Sequence, residues 1–158
     1  LLGMFAQLNN ADGQPYLFAL FKKRFCVSKV SFSLTNNLNR VNNISYNASS
    51  GTIYAFSDGD EQIYAGTDGG AFSSLFDFST IKNLNAYTAC YYKNDEFLII
   101  ANGGIAKVKI APFTVVKSYK SWDNFEIYQV FTNGTDVWVL GENYSTDRYE
   151  YRKIELED

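Results

Sequence analysis

Three features of the sequence predict an all-β fold. Aromatic residues make up 17% of the chain, with 13 Phe and 12 Tyr against a single Met. Such side chains suit a pleated, half-buried surface. Short apolar runs recur along the chain, alternating or continuous, and each is stopped by Asn, Asp, Gly or Ser. Sustained helical periodicity is absent.

The strands follow in order from those runs. Tyr16–Phe21 and Phe25–Leu34 are the first, separated by the cations Lys22-Lys23-Arg24. Asn43–Tyr46 and Thr52–Phe56 flank a turn of Asn, Ala, Ser and Gly, and Gln62–Gly66 and Ala71–Phe78 follow across Gly-rich turns. Tyr87–Tyr92, Glu96–Ala101, Ile105–Ile110 and Thr114–Tyr119 form a second series, and Phe125–Phe131, Val137–Gly141 and Arg148–Leu156 a third. Only Leu1–Leu8 reads otherwise, as the end of a helix. With 2 Pro and no long polar spacer, residues 1–158 read as a single all-β domain or domain segment.

Three of these strand pairs repeat. Ile44-Ser45-Tyr46 with Thr52–Phe56, Ala89–Tyr92 with Glu96–Ile100, and Gln129-Val130-Phe131 with Asp136–Leu140 are each a hairpin whose apolar second strand follows a polar turn. Ile53 and Phe97 stand 44 residues apart, and Phe97 and Val137 stand 40 apart. Asn133-Gly134 has the composition of a tight hairpin turn, because both residue types accept positive φ at low cost. An outer strand follows each hairpin, giving the period of a four-stranded blade.

On these residues the segment 43–158 resembles a β-propeller. The likeness is carried by Ile63–Gly70 (IYAGTDGG) and its echo Leu98–Gly104 (LIIANGG). The Trp-Asp dipeptide with its Gly-His partner is absent, and so is the Ser-x-Asp-x-Gly-x-x-Trp box of sialidase-type propellers. The resemblance implies a partial propeller of antiparallel blades, since 158 residues supply fewer blades than closed propellers hold. An antiparallel sandwich or irregular barrel is the alternative. The chain begins Leu1-Leu2-Gly3, which fits a processed product or one segment of a longer protein.

Composition narrows the chemistry. There is no His, which excludes imidazole catalysis and His-ligated metal within this chain. Net charge is −3 with mixed signs, so no basic face recommends nucleic acid. No apolar run reaches the length of a membrane span. Cys26 and Cys90 sit in apolar runs and read as buried free thiols, although one disulfide between them stays open. Glycosylation sequons at Asn43, Asn47, Asn133 and Asn143 leave the compartment open between virion, extracellular and other settings.

Several side chains are candidates for a site. Asp58, Asp60 and Glu61, with Asp68 close behind, could offer oxygens to Ca²⁺, but they lack the order of a full loop and read as a hairpin tip. No cofactor or metal is expected. Asp58, Asp77, Asp95 and Asp123 are the carboxylates that a glycosidase would draw on. Gly69-Gly70 and Gly103-Gly104 read as turn glycines rather than phosphate cradles. Among the aromatic residues, Tyr91, Tyr92, Tyr128 and Trp138 join a wider pool, with Trp138 expected in the core. Trp122, Tyr144, Tyr149 and Tyr151 are the residues expected to bind a partner or glycan.

The expectation is a non-enzymatic structural or interaction module. Its Asn- and aromatic-rich β composition with blade-like spacing resembles viral and phage tail assembly components. Other protein chains or further copies of itself would be the partners, added at open edges such as Arg148–Asp158. The alternative is a carbohydrate-binding or glycoside-cleaving propeller module, which a pocket holding two carboxylates beside Trp122 or a Tyr cluster would favour.

Overall fold

The computed structural model describes residues 38, 40–47, 49–67, 70–119, 122–132 and 135–156, together with the backbone course of three strands nearer the start of the chain. Those three are β1 (Gly3–Leu8), β2 (Pro15–Phe21) and β3 (Arg24–Ser28), antiparallel in the order β1-β2-β3. The second sheet is β4 (Val41–Asn47), β5 (Thr52–Ser57), β6 (Gln62–Gly66) and β7 (Ser73–Asp77). The third is β8 (Ala86–Lys93), β9 (Glu96–Ala101), β10 (Gly104–Ile110) and β11 (Phe113–Tyr119). The fourth is β12 (Phe125–Thr132), β13 (Val137–Asn143) and β14 (Arg148–Ile154). Each sheet is a meander, every strand pairing with the one before it in sequence.

The chain is therefore all-β, in several small antiparallel sheets. The expected helical end at Leu1–Leu8 is corrected, since Gly3–Leu8 is a strand paired with β2 from Gly3↔Leu20 to Leu8↔Pro15. The run Ala71–Phe78 is shorter than expected. Its strand stops at Asp77, whose carboxylate accepts from the Ser79 amide at 2.9 Å and starts a single 3-10 turn, Phe78–Thr80. Of the expected strand Phe25–Leu34, the part after Ser28 lies outside the described residues. No helix among the described residues is long and apolar enough to cross a membrane.

Turn chemistry sets the register. Lys93 pairs with Glu96 across Asn94-Asp95, whose φ values of 50° and 60° make the two-residue hairpin that matches strand twist. Asn102-Gly103 does the same between Ala101 and Gly104, with φ of 51° and 75°. The LIIANGG echo is thus a strand followed by an Asn-Gly hairpin. Asn133 and Gly134 lie outside the described residues.

The apolar residues divide between faces with period two. On β9, Phe97 and Ile99 pack with Phe56, Ile63 and Phe78 of the second sheet's side, while Leu98 and Ile100 pack with Val130, Val137 and Val139 of the fourth sheet. A strand covered on both faces needs no polar alternation, which explains the continuous run Phe97–Ile100. A two-layer sandwich would leave one face of this sheet to solvent. Covering both faces is what a blade between two blades requires, so the arrangement is consistent with a propeller segment. A third cluster, Val41, Ile44, Ile53, Ala55 and Phe72, lies on the second sheet's other face, and β1 runs beside β4.

Trp138 departs from its expected place. Val137 and Val139 are buried in the core, whereas Trp138 lies half-buried between them on the opposite face of β13. Cys90 is a free thiol inside the core, which excludes a disulfide from it. Burial pushes that thiol up to about 12. Cys26 has no described side chain.

The first strands of three sheets, β4, β8 and β12, meet along one line. Asn43 is buried there, 2% exposed. Its side-chain amide donates to Thr88 Oγ1 at 3.0 Å on β8 and to the Val130 carbonyl at 3.0 Å on β12. Gln129 Nε2 donates to the Asn42 carbonyl at 2.9 Å, and the Tyr91 amide donates to Ser45 Oγ at 2.7 Å. Replacing Asn43→Ala would leave the Val130 carbonyl and the Thr88 hydroxyl without this donor, at a cost of about 2–3 kcal/mol. A urea unfolding midpoint lowered by that amount, with unchanged slope, is the expected result.

Candidate functional site

Each of the three innermost strands carries one β-bulge near its start. On β4 the pairing steps from Val41↔Ser57 to Asn43↔Phe56, leaving Asn42 unpaired. On β8 it steps from Ala86↔Ala101 to Thr88↔Ile100, leaving Tyr87. On β12 it steps from Ile127↔Gly141 to Gln129↔Leu140, leaving Tyr128. A bulge turns the side chain of its extra residue out of the regular alternation. All three extra residues, Asn42, Tyr87 and Tyr128, line one cavity of about 660 Å³. That volume is in the range of small-molecule sites.

The rest of the wall comes from the same end of the sheets. Asp58 follows β5, Gly103 lies in the β9–β10 turn, Trp122 and Asn124 precede β12, and Tyr144 follows β13. Three sheets therefore contribute to a single mouth at the end of the line where their first strands converge. The floor is apolar, with Ile100, Phe125 and Ile127.

Glu126 stands on this rim, directly across from Glu142 in the β12–β13 ladder. Like charges facing each other destabilise a sheet. Two phenols relieve the pair. Tyr128 Oη lies 2.7 Å from Glu142 Oε2 and 3.2 Å from Glu126 Oε2, and Tyr144 Oη donates to Glu126 Oε2. The Tyr144 phenol is held above its ordinary value chiefly by that hydrogen bond to Glu126, and Tyr128 is raised chiefly by its bond to Glu142. No described Lys or Arg forms an ion pair with either glutamate.

Asp58 sits across the cavity. Its Oδ2 accepts from Arg40 at 3.0 Å, while its Oδ1 is buried and has no hydrogen-bond partner among the described residues. Asn42 is in the same condition. Its Nδ2 donates to the Tyr87 carbonyl at 2.6 Å, but its Oδ1 is buried without a partner. A buried acceptor left unsatisfied costs about 1–3 kcal/mol, and both of these oxygens are closed off from solvent within the wall.

Of the residues expected from sequence, the structure brings Trp122 and Tyr144 to this cavity. Trp122 meets Phe125 edge-on at 5.5 Å, and the Arg152 guanidinium lies 5.6 Å from its ring centre. Tyr149 and Tyr151 do not line it and are exposed on the outer strand β14 at 71% and 58%, although the Tyr149 ring lies 6.1 Å from that of Tyr128. Asp58 is the one expected carboxylate at the cavity. Asp77 caps the 3-10 turn, Asp95 lies in a hairpin turn, and Asp123 is exposed in the turn before β12. Asp60 is engaged locally, accepting from Tyr64 Oη at 3.0 Å. Among the described residues no group of three or more acidic or thiol side chains is placed to hold a metal ion.

Sequence reasoning did not foresee Asn42, Tyr87 or Glu126. Each is the second residue of an innermost strand. Superposing the starts of the three repeats would have placed them on one rim.

No protein-family model matches the chain, and no curated protein does. Among solved structures, the chain is similar to a luciferin-regenerating enzyme at 12% identity, with a TM-score of 0.49. The match covers 85% of this chain and 47% of the other, so the chain spans less than half of that protein. Similarity at this level transfers no activity or substrate. The expectation that the chain is not an enzyme is withdrawn: the similar solved structure is named an enzyme, and that name belongs to that protein alone. The physical reason is that a missing His removes imidazole chemistry and leaves carboxylate chemistry untouched.

Two outcomes test this geometry. In Glu126→Gln the Tyr144 phenol loses its charged acceptor, so its pKa should fall toward 10.0, read by NMR of the ring carbons. Because the folded value lies above the unfolded one, this phenol's contribution to stability is complete below the ordinary value and is lost as pH rises through the folded one. Gly141→Ala should disturb the same rim, since a Cβ there would collide with the Glu126 carbonyl oxygen and lie 2.6 Å from the Phe125 ring. A loss of about 1–3 kcal/mol in thermal unfolding is expected.

Proposed function

We propose that the chain is a carbohydrate-binding module whose site is the cavity at the convergence of β4, β8 and β12. The observation that carries this reading is one cavity of about 660 Å³ that holds the carboxylates Asp58 and Glu126 within a wall of Trp122, Tyr87, Tyr128 and Tyr144. A sugar ring answers both features. Its hydroxyls donate to fixed acceptors, and its C–H faces pack on aromatic rings. The bulges hold Asn42, Tyr87 and Tyr128 on strands rather than on loops, which fixes their positions before a ligand arrives.

Asp58 and Glu126 in one aromatic cavity also meet the minimum demand of glycoside hydrolysis, an acid and a second carboxylate. Release of reducing ends during incubation with an oligosaccharide would reveal it. Neither the described fold nor the solved structure it resembles points to a virion or phage tail assembly role.

A screen of immobilised oligosaccharides followed by titration calorimetry tests the binding reading. Trp122→Ala is expected to weaken the bound glycan about tenfold, the equivalent of ~1.4 kcal/mol. Tyr151→Ala, on the exposed outer strand, is expected to leave affinity unchanged. Equal losses in both variants, or no glycan bound by the intact chain, would overturn the reading.

A further inference from the structure

The outer edges of the sheets are not alike. The second and third sheets each end, at their fourth strand, on a bulge. On β7 the pairing steps from Ile63↔Phe76 to Tyr64↔Ser74 and passes over Leu75, and on β11 it steps from Lys107↔Lys117 to Val108↔Val115 and passes over Val116. A bulge bends an edge and interrupts its ladder, which discourages a further strand. The fourth sheet ends at its third strand, and β14 pairs with β13 residue for residue from Val137↔Ile154 to Asn143↔Arg148. Arg148–Ile154 contains no Pro or Gly, Tyr149 and Tyr151 on it are exposed, and no described strand lies along its outer side. We propose that this edge pairs with β14 of a second copy of the chain, antiparallel and centred on Tyr151.

The sequence of β14 is its own complement in that register. A twofold axis between two identical strands sets each residue opposite one on the same face of the sheet, so the axis passes through a residue. The seven residues Arg148–Ile154 have their midpoint at Tyr151. Centred there, all seven overlap: Tyr151 meets itself, Glu150 meets Arg152 of the second copy, Tyr149 meets Lys153, and Arg148 meets Ile154. Opposite charges, and a cation beside an aromatic ring, are favourable cross-strand pairs, and no like charges meet. Moving the axis one residue towards the start would set Glu150 against itself and Arg148 against Arg152. Moving it one residue the other way would set Arg152 against itself. Charged side chains blunt an edge where like faces like, so the pattern that blocks the neighbouring registers selects this one. Within one chain Arg152 binds Glu150 at 3.0 Å, and two copies would close these four charges into one alternating network. Lys153, bound to Asp136 at 2.8 Å in its own chain, brings no unbalanced charge to the seam.

Sedimentation velocity on the intact chain across a wide range of concentration tests this, and a concentration-dependent dimer is the expected result. Glu150→Arg and Arg152→Glu should each weaken that dimer by at least about tenfold, because each sets like charges opposite one another twice. Mixed in equal amounts, the two variants should form a heterodimer, since one then offers two cations where the other offers two anions. Cysteine substitution reads the register directly. Opposed residues of an antiparallel pair lie about 4.5–5.5 Å apart at Cα, within reach of a disulfide. Under mild oxidation Tyr151→Cys should therefore cross-link two chains, while Tyr149→Cys, at a position that faces Lys153, should not exceed the background of the unsubstituted chain. A chain that stays monomeric throughout, charge variants that associate as well as the parent, a mixture of folded variants that stays monomeric, or equal cross-linking from both cysteine positions would overturn the proposal. Near-ultraviolet circular dichroism reports whether the charge variants are folded; if either is not, the cysteine pair decides alone.

Discussion

The arrangement of the described sheets depends on one buried amide. Asn43 on β4 donates to a hydroxyl on β8 and to a carbonyl on β12, and so joins the first strands of three sheets at one point. Apolar packing between sheets is non-directional, and flat faces could slide over each other at modest cost. A two-pronged donor with fixed acceptors cannot slide, because a displaced amide would be buried without a partner. Gln129 and Ser45 add further cross-sheet bonds above and below it. The cavity mouth lies beside this junction, since Asn42 immediately precedes Asn43. What locks the sheets together also sets the positions of the groups at the mouth.

The three bulges have a shared consequence. A regular strand alternates its side chains between the two faces of its sheet, and in a sheet covered on both faces each position is committed to packing. An extra residue escapes that commitment. Asn42, Tyr87 and Tyr128 are available to the cavity because the ladder passes them by. The glutamate pair on β12 and β13 shows the same economy: two like charges that would push the strands apart are tied by phenols that belong to the cavity wall.

Much of the fold was legible in the sequence. Glu96–Ala101 was readable end to end because both its faces are covered, which produces an apolar run bounded by Asn94-Asp95 and Asn102-Gly103. Less was legible of the site. Trp122 and Tyr144 stood out as aromatic residues suited to a partner or glycan. Asn42, Tyr87 and Glu126 look like ordinary strand residues, and a bulge depends on the partner strand, which a local window does not include. Trp138 shows the same limit from the other side: the alternation of Val137-Trp138-Val139 is real, but it does not say which of the two faces is the interior. Gly3–Leu8 was misread because its pairing partner, not its own pattern, makes it a strand.

The burial of Asn43 also bears on how the chain can be made. Asn43-Ile44-Ser45 is a glycosylation sequon, and its asparagine nitrogen is the atom that holds three strands together. In a secretory pathway, oligosaccharyl transfer acts on an emerging chain before distant strands have met. A glycan on that nitrogen would consume its donor and fill the space where β8 and β12 must close. Biosynthesis through such a route is therefore a race between modification and folding. Molecules that lose it would be unable to assemble this junction, whereas a host without that transferase would never impose the choice.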